Sequence, residues 1–391
     1  MRRLILSLTL VLLFGGTATA QMKVQTGVTK PVAVKTVDKP APKPAKTKKA
    51  PVPKGPPAKE LFGSVAEPAP LAVRSIGGYA KGCLAGGISL PINGPDWQVM
   101  RLSRNRNWGN PQLLDYLERL SSDARALDGW PGLLVGDMSQ PRGGPMLTGH
   151  TSHQVGLDAD IWLTPMPNRI LTPEEREQIS AVSMLKDPLS VDSTKFTIDH
   201  VKLIKRAASY PQVARIFVHP AIKKSLCQQA AAVGKDRAWL GKVRPWWNHY
   251  YHFHVRLSCP PGQDGCDNQN PVSGDDGCGK ELDNWFDMLK KSAIWTAQQP
   301  PPDPDAEPPK KKNPLRLTDL PRDCKEVLAS GGHEPLTADD ELPALALKAA
   351  ASKEAGPPLP RLNEAQLETL LAGGKIGMPL PDRNPVRRPQ G

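Results

Sequence analysis

The sequence predicts an α+β fold, in which a small antiparallel sheet is flanked by helices and disordered proline-rich tails lie at the chain ends. Helical patterns lie between short strand-like runs, and the two kinds of element do not alternate regularly. An irregular order favours α+β over a doubly wound parallel sheet. The strand-like runs, broken by Gly and Pro, are residues 84–91, 132–136, 159–163, 216–218 and 252–257.

Helix signals are clearest in PQLLDYLERLS, residues 111–121, where apolar residues recur at helical spacing and Pro111 occupies the first turn. Thr172 followed by Pro and two acidic residues is a typical helix start. Further helices are predicted at residues 201–209, 220–233 and 280–291, and a short amphipathic helix at residues 363–371.

The N-terminus has the layout of a cleaved signal peptide, residues 1–20. Two arginines precede an apolar run over residues 4–14 that is short for a membrane span, and small residues end at Ala20. The alternative is a membrane anchor that stays uncut. We predict export to the periplasm without stable membrane insertion, because no other stretch is apolar enough to span a bilayer.

Differences in composition divide the rest of the chain into a linker, an ordered domain and two C-terminal segments. Residues 21–60 form a Pro- and Lys-rich linker without helical or strand period, and residues 61–295 form the ordered domain. A second proline-rich segment, residues 296–324, becomes a strap across the surface if Cys324 is bonded back to the domain. Residues 325–391 are low in aromatic residues and are predicted to be mostly disordered.

The formal charge of +12 favours an acidic partner. On charge alone this partner is a nucleic acid, an anionic membrane or an anionic wall polymer. Export excludes nucleic acid and favours the wall. The charge says nothing about oligomeric state.

Six cysteines in an exported chain indicate disulfide bonds. Spacing alone suggests one pair, Cys259 with Cys266, across a turn-rich segment. The chain has no CxxC pair, which argues against thiolate ligation of zinc. The other cysteines are Cys83, Cys227, Cys278 and Cys324.

Histidines alternate with apolar residues in WWNHYYHFHVRL, residues 246–257. In a strand, His252 and His254 point to one face while Phe253 and Val255 face the core. Two charged imidazoles side by side repel each other. A zinc ion resolves this conflict, because ligation requires neutral imidazole.

A second segment, GHTSHQVGLDADIWL at residues 149–163, supplies the acidic partners. Alternation after Gly156 places Asp158, Asp160 and Trp162 on one face. A histidine before this strand, an aspartate within it and a histidine from the other strand give three ligands, with water as the fourth. That ligand count is typical of a catalytic zinc site, in which zinc activates the water. The alternatives are a polar hydrogen-bond network or a sugar-binding patch that uses Trp246, Trp247, Tyr250 and Tyr251.

The segments SHQVGLDADI and HYYHFHVRLSCP resemble those of the penicillin-insensitive murein endopeptidases. This family lies within the wider superfamily of lysostaphin-type peptidases and D-Ala-D-Ala carboxypeptidases, which share H-x6-D and a later H-x-H. The resemblance covers most of residues 75–285 and includes GDMSQPRGG, VARIFVHPAIKKSLC and GDDGCGKEL.

The resemblance implies a site residue by residue. His153, Asp160 and His254 are the implied zinc ligands, and His252 is the base or transition-state stabiliser, assisted by His249. His150 matches a position linked to metal or active-site binding. Asp187 falls where a further metal-contacting acid is expected, but Ser190 stands where the family has a histidine. The implied disulfides are Cys83 with Cys324, Cys227 with Cys278, and Cys259 with Cys266.

We therefore predict a zinc endopeptidase that hydrolyses D-alanyl–meso-diaminopimelyl cross-links in peptidoglycan. Penicillin should not block it, because no serine acyl-enzyme forms. Arg142 and Arg256 are candidate partners of substrate carboxylates, with a structural role as the alternative for each. The alternative functions are a zinc D,D-carboxypeptidase and a non-catalytic wall-binding protein.

Overall fold

A computed structural model describes residues 55–272, 274–300, 314–337, 340–352 and 356–372. The predicted signal peptide and most of the 21–60 linker lie outside these residues, as does much of the 296–324 strap. None of the helices in the described ranges combines the length and apolar character that a bilayer crossing requires.

The chain forms short strands and mostly short helices. The strands are β1 Arg74–Gly78, β2 Lys81–Ala85, β3 Ile88–Ser89, β4 Trp97–Val99, β5 Trp108–Gly109, β6 Leu133–Val135, β7 Asp158–Trp162, β8 Leu185–Asp187, β9 Ser190–Val191, β10 Val213–Val218, β11 Val243–Pro245 and β12 His252–Leu257. The α-helices are α1 Ala58–Gly63, α2 Pro111–Asp128, α3 Pro173–Gln178, α4 Ile198–Ser209, α5 Pro220–Gln229, α6 Ala238–Lys242, α7 Lys280–Ala297, α8 Asp323–Ala329, α9 Ala344–Ala351 and α10 Glu364–Ala372.

The central sheet has six strands in the order β11-β10-β12-β7-β6-β4. The α+β class is confirmed, but the prediction of a small antiparallel sheet is wrong, because the sheet is mixed. β12 pairs antiparallel with β7 and β10, whereas β4 pairs parallel with β6 and β10 with β11. Parallel pairing requires a crossover, which α2 supplies between β4 and β6 and α5 supplies between β10 and β11. β4, β6 and β11 have three residues each, too few for alternation to indicate how they pair.

Helix ends follow the local signals. The Asn110 side chain accepts a hydrogen bond from the backbone of Gln112, Pro111 opens α2, and Gly129 ends it with φ of +74°. The helix therefore extends beyond the predicted 111–121. Thr172 and Glu175 form a capping box at the start of α3.

The sheet is buried on both faces, and every residue of β7 and β12 is buried. The main core packs the apolar faces of α2, α4 and α5 against the sheet. A smaller core joins α1 and α8 to the β1–β2 hairpin. Burial on both faces makes the neighbourhood of β7 and β12 rigid and dry, which suits a site that must hold charged groups in fixed positions.

Disulfide bonds are confirmed, and no described cysteine is free. The bonds join Cys83 to Cys324, Cys227 to Cys278, and Cys259 to Cys266, the pairs that the resemblance implies. Cys324 lies in α8, so this helix is covalently tied to β2.

The segment after residue 324 differs from the expected mostly disordered tail where the structure describes it. α8 buries Val327 and Leu328 in the smaller core. α9 buries Ala346 and Ala349, and α10 occupies almost the range predicted for a short helix. The low aromatic content did not prevent ordering, because small alanine faces are enough to pack a short helix against a preformed surface.

Candidate metal centre

The pairing of β7 with β12 brings the two histidine-containing segments, residues 149–163 and 246–257, together. β7 and β12 pair so that Asp160 lies opposite His254, and Trp162 lies opposite His252. The Nδ1 atom of His254 is 3.1 Å from Oδ1 of Asp160, and Nε2 of His252 is 3.6 Å from Oδ2 of the same carboxylate. Asp160 is therefore the centre of the cluster.

His153 reaches the cluster from the loop before β7. Its Nε2 atom lies 3.4 Å from Oδ1 of Asp160, and its side chain is fully buried. Its backbone N–H donates to Oδ2 of Asp158 at 3.0 Å, which fixes the loop to the strand. The φ of His153 is +67°, a left-handed conformation uncommon for residues with a side chain. The loop geometry is thus set to aim this ring inward.

His150 lies at the solvent side of the cluster, with 24% of its side chain exposed. Its Nε2 atom donates to Oδ2 of Asp137 at 3.0 Å and is 3.4 Å from Oδ2 of Asp160. Asp137 in turn pairs with Arg104 at 3.0 Å and Arg106 at 2.8 Å. Two arginines and one buried carboxylate therefore hold His150 in place.

The sequence analysis did not single out Asp137. It follows β6, and the backbone of Asp160 donates to the Asp137 carbonyl at 3.0 Å, so the chain after β6 continues beside β7. The available signal was an acidic residue placed just after a buried apolar strand, within the GDMSQPRGG segment.

His249 lies beside His252 and has a φ of +54°. The ring centroids of the two histidines are 4.9 Å apart, and Nδ1 of His249 donates to the Trp247 carbonyl at 2.6 Å. This hydrogen bond fixes the orientation of the His249 ring.

Several buried polar atoms of the cluster have no hydrogen-bond partner among the described residues. They are both ring nitrogens of His153, Oδ1 of Asp160, Nδ1 of His252 and Nε2 of His254. The Nε2 atom of His254 lies 3.3 Å from Oδ1 of Asp158 without hydrogen-bond geometry. Unpaired buried polar atoms cost about 1–3 kcal/mol each, so their concentration around one carboxylate needs an explanation.

A metal ion fits these atoms. One ligand atom from each of His150, His153 and Asp160 lies within 4.8 Å of the others. His254 is not one of these three residues, although its Nδ1 atom lies nearer to Asp160 than the ring of either histidine does. Imidazole nitrogen with carboxylate oxygen is a donor set that suits zinc and other transition metals.

The electrostatics favour ligand-competent protonation states. Burial would raise the pKa of Asp160, but the surrounding imidazoles hold it well below its usual range. Burial lowers the pKa of His252 to about 4, against the opposing pull of Asp160, and also lowers the pKa of His153. The pKa of His249 is well below its usual range because of burial and the neighbouring His252. Ionised carboxylate and neutral imidazole are the forms that bind a metal.

His150 and His254 differ from the other histidines of the cluster, because their pKa values are raised. Burial opposes the charged form of His150, but Asp160 and Asp137 raise its pKa. Burial likewise opposes the charged form of His254, but Asp158 and Asp160 raise its pKa. Both rings therefore lie where negative charge outweighs burial, and a bound cation would compete for the same carboxylates.

Asp187 lies outside this cluster, in β8. Its Oδ2 atom accepts a hydrogen bond from the Ser190 hydroxyl at 2.5 Å and from the Gln366 side chain at 3.3 Å. Ser190, at the position where the resemblance implies a histidine, therefore bonds directly to Asp187.

The two candidate substrate-binding arginines make structural contacts. Arg142 donates to the carbonyls of Val327 and Leu328 at the end of α8. Arg256 forms a two-pronged ion pair with the fully buried Asp158, at 2.8 and 3.0 Å. Neither guanidinium is directed at the cluster carboxylate, Asp160.

The cavity over the cluster has a volume of about 20 Å³, enough for about one water molecule. Its walls include Arg101, Arg104, His150, Tyr251 and His252. A larger cavity of about 330 Å³, lined by Trp130 and His200, shares no residue with the cluster. We place the chemistry at the small cavity, because the unpaired ligand atoms are there.

A histidine and aspartate cluster on a buried mixed sheet, with one side open to solvent, is an arrangement typical of the metal centres of hydrolases. Comparison with known proteins specifies the family, since the family described as penicillin-insensitive murein endopeptidase matches residues 75–329. The chain belongs to this family.

Individual relatives carry the same description as the family. A Haemophilus influenzae protein is 46% identical over 232 residues, which are 59% of this chain and 79% of the relative. An Escherichia coli protein is 40% identical over 269 residues, and a Klebsiella pneumoniae protein 39% identical over 265 residues. Each of these two alignments covers 68% of this chain and 89% of the relative. All three relatives are named penicillin-insensitive murein endopeptidase.

Proposed function

We propose that this protein is an exported zinc endopeptidase that cuts D-alanyl–meso-diaminopimelyl cross-links of peptidoglycan in the periplasm. Family membership makes it a murein endopeptidase. The observation that carries the zinc assignment is the set of buried, unpaired ligand atoms around Asp160. The predicted signal peptide supports the compartment, and the disulfide bonds fit it.

His153, Asp160 and His254 would hold the ion, and His150 is close enough to join or replace one of them. A bound zinc ion polarises the scissile carbonyl and lowers the pKa of water. Asp160 stays ionised, and neutral His153 offers a free lone pair. The buried surroundings exclude bulk water, which strengthens these electrostatic interactions.

His252 is the proposed general base. Burial lowers the pKa of its imidazole and so favours the neutral ring, and its Nε2 faces the cluster 3.6 Å from Oδ2 of Asp160. It accepts the proton of the attacking water at this atom and returns it to the leaving amine nitrogen. His249 contacts the His252 ring and limits its rotation.

Asp187 is proposed as a further metal-contacting residue, and the only support for this role is the resemblance to the family. It would have to release Ser190 and Gln366 to bind an ion. Metal content per chain tests this assignment, since one equivalent argues against a second position at Asp187.

The decisive experiment digests purified cross-linked muropeptides with the mature protein, with and without a chelator and with penicillin. We expect dimers to become monomers, the chelator to stop the reaction, added zinc to restore it and penicillin to have no effect. Release of free D-alanine from monomers would indicate the D,D-carboxypeptidase instead. Binding to peptidoglycan without cleavage would indicate the non-catalytic wall-binding protein. Cleavage that is indifferent to chelation would contradict the metal mechanism.

A further inference from the structure

The segment beyond α8 packs beside the metal centre. We call residues 340–352 and 356–372 the C-terminal arm; they contain α9 and α10 and lie after the residues matched by the family. α9 packs against the 3₁₀ turn Leu102–Arg104 and buries Ala346 and Ala349. Arg104 of this turn is also a wall of the cavity over the cluster.

The arm contacts two walls of that cavity. The Ser352 hydroxyl accepts a hydrogen bond from Nε of Arg104 at 3.1 Å, and Nη1 of Arg104 binds Asp137, the partner of His150. Gly356 lies directly on the Tyr251 ring, since a Cβ atom on this glycine would be 2.4 Å from the ring. The arm thus approaches the cluster from both the Arg104 side and the Tyr251 side.

Further contacts anchor the arm away from the cluster. The Tyr250 hydroxyl donates to the Pro357 carbonyl at 2.5 Å. Arg361 donates to the backbone carbonyls of Thr296 and Gln299 at the end of α7. α10 packs against α7. These contacts are few and mostly polar, which is typical of an element that opens locally without unfolding the core.

The cavity that Arg104 and Tyr251 help to line holds about one water molecule, whereas the proposed substrate is a peptide attached to a polymer. We infer that the C-terminal arm is a built-in partial cover, which holds the Arg104 and Tyr251 walls of the cavity and so restricts access of cross-linked peptidoglycan to the metal centre. The identity of the restricted substrate rests on the proposed function, whereas the position of the arm is independent of it. Release of the arm exposes the Arg104 and Tyr251 sides of the cavity and increases turnover.

Two substitutions in the full-length protein loosen the arm, and the second, Arg361→Ala, also leaves the walls of the cavity unchanged. Gly356→Ala places a methyl group against the Tyr251 ring, and Arg361→Ala removes the hydrogen bonds to Thr296 and Gln299. The matched controls are Gly274→Ala, where a Cβ atom has open space, and Arg237→Ala, which removes another exposed arginine that donates to a backbone carbonyl.

Three measurements are made on each protein. Hydrogen exchange reports whether the arm opens, carbethoxylation of His150 followed by mass spectrometry reports access to the cluster, and muropeptide digestion reports turnover. In both arm variants we expect exchange in the arm, labelling of His150 and turnover to rise at least about fivefold, because the closed state loses hydrogen bonds in Arg361→Ala and gains a steric clash in Gly356→Ala. The controls should match the wild type.

The outcomes separate the cover from the proposed activity. Faster exchange in the arm without faster His150 labelling overturns the cover, even if the wild type digests muropeptides. An arm that stays fully protected in both variants also overturns it, because the assigned contacts would not hold it. Faster labelling without digestion by any of the proteins supports the cover and contradicts the proposed activity.

Discussion

The imidazole of His254 and the carboxylate of Asp160 face each other across adjacent antiparallel strands, with Nδ1 and Oδ1 3.1 Å apart. Each residue is buried in an inner strand, which is paired with a neighbouring strand along both of its edges. The pair is therefore held by the core rather than by flexible loops, and the other ligand candidates are arranged around it. This arrangement gives the first prediction.

Substitution His254→Ala should remove the bound metal and reduce muropeptide cleavage by at least about 100-fold, because the ion loses the histidine that lies closest to Asp160 and is fixed in a buried strand. Metal content and initial cleavage rate measure this directly. His333→Ala, a histidine outside the cluster, is the control and should keep both. A His254→Ala protein with full metal content and wild-type activity would contradict the assigned ligand set.

Substitution Arg256→Met should destabilise the fold by about 3–5 kcal/mol, because it leaves the buried Asp158 charge without its partner. Asp158 also accepts the His153 backbone N–H, so metal affinity should fall as well. Urea unfolding and competition with a metal indicator measure the two effects. Arg237→Met is the control. Its pair with Asp276 is partly exposed, so it should cost less than about 1 kcal/mol.

Substitution His219→Asn should reduce the loss of stability in acid. Burial lowers the pKa of His219 to about 3, far below its unfolded value of about 6.5. Between these values the unfolded chain binds a proton that the folded chain does not. The free energy of unfolding therefore falls as pH decreases, by about 1.4 kcal/mol per pH unit. Above pH ~6.5 the residue contributes no slope.

Asparagine keeps the helix cap that His219 provides to Ala221 at the start of α5 but does not titrate. Urea unfolding at several pH values between about 5 and 7.5 compares the two proteins across the unfolded pKa. We expect the wild type to lose stability faster than the variant below pH ~6.5 and the two curves to run parallel above it. Parallel curves over the whole range would show that His219 is not buried in its neutral form.

Removing the disulfide between Cys83 and Cys324 should destabilise the protein by about 2–4 kcal/mol, because this bond closes by far the longest loop. The paired residues are 241 positions apart, against 7 for Cys259 and Cys266. The double serine variant of the long pair should lower the melting temperature more than that of the short pair. Hydrogen exchange should also rise in α8, which would lose its covalent tie to β2. Equal effects of the two variants would contradict the loop-length argument.

Local patterns determined much of the candidate site. Alternation in residues 157–163 and 252–257 placed Asp158 with Asp160, and His252 with His254, because side-chain direction in a strand follows from backbone geometry alone. Local signals also gave the helix starts at Pro111 and Thr172, but not the full length of α2, since the extent of a helix depends on what it packs against. Spacing suggested only the pair Cys259 with Cys266, and the resemblance supplied the other two.

What the sequence by itself determined about this protein is therefore the chemistry of its two key strands: which residues are apolar, which can bind a metal, and which face each occupies. Only the tertiary structure decided that β7 and β12 are neighbours in a mixed sheet, that Asp137 supports His150, and that the arm lies beside the cluster. The reason is physical. Which strands pair and where helices pack depend on contacts between distant parts of the chain. The free energy of these contacts comes from burial in the assembled core, so the pattern of a single segment does not reveal its partner.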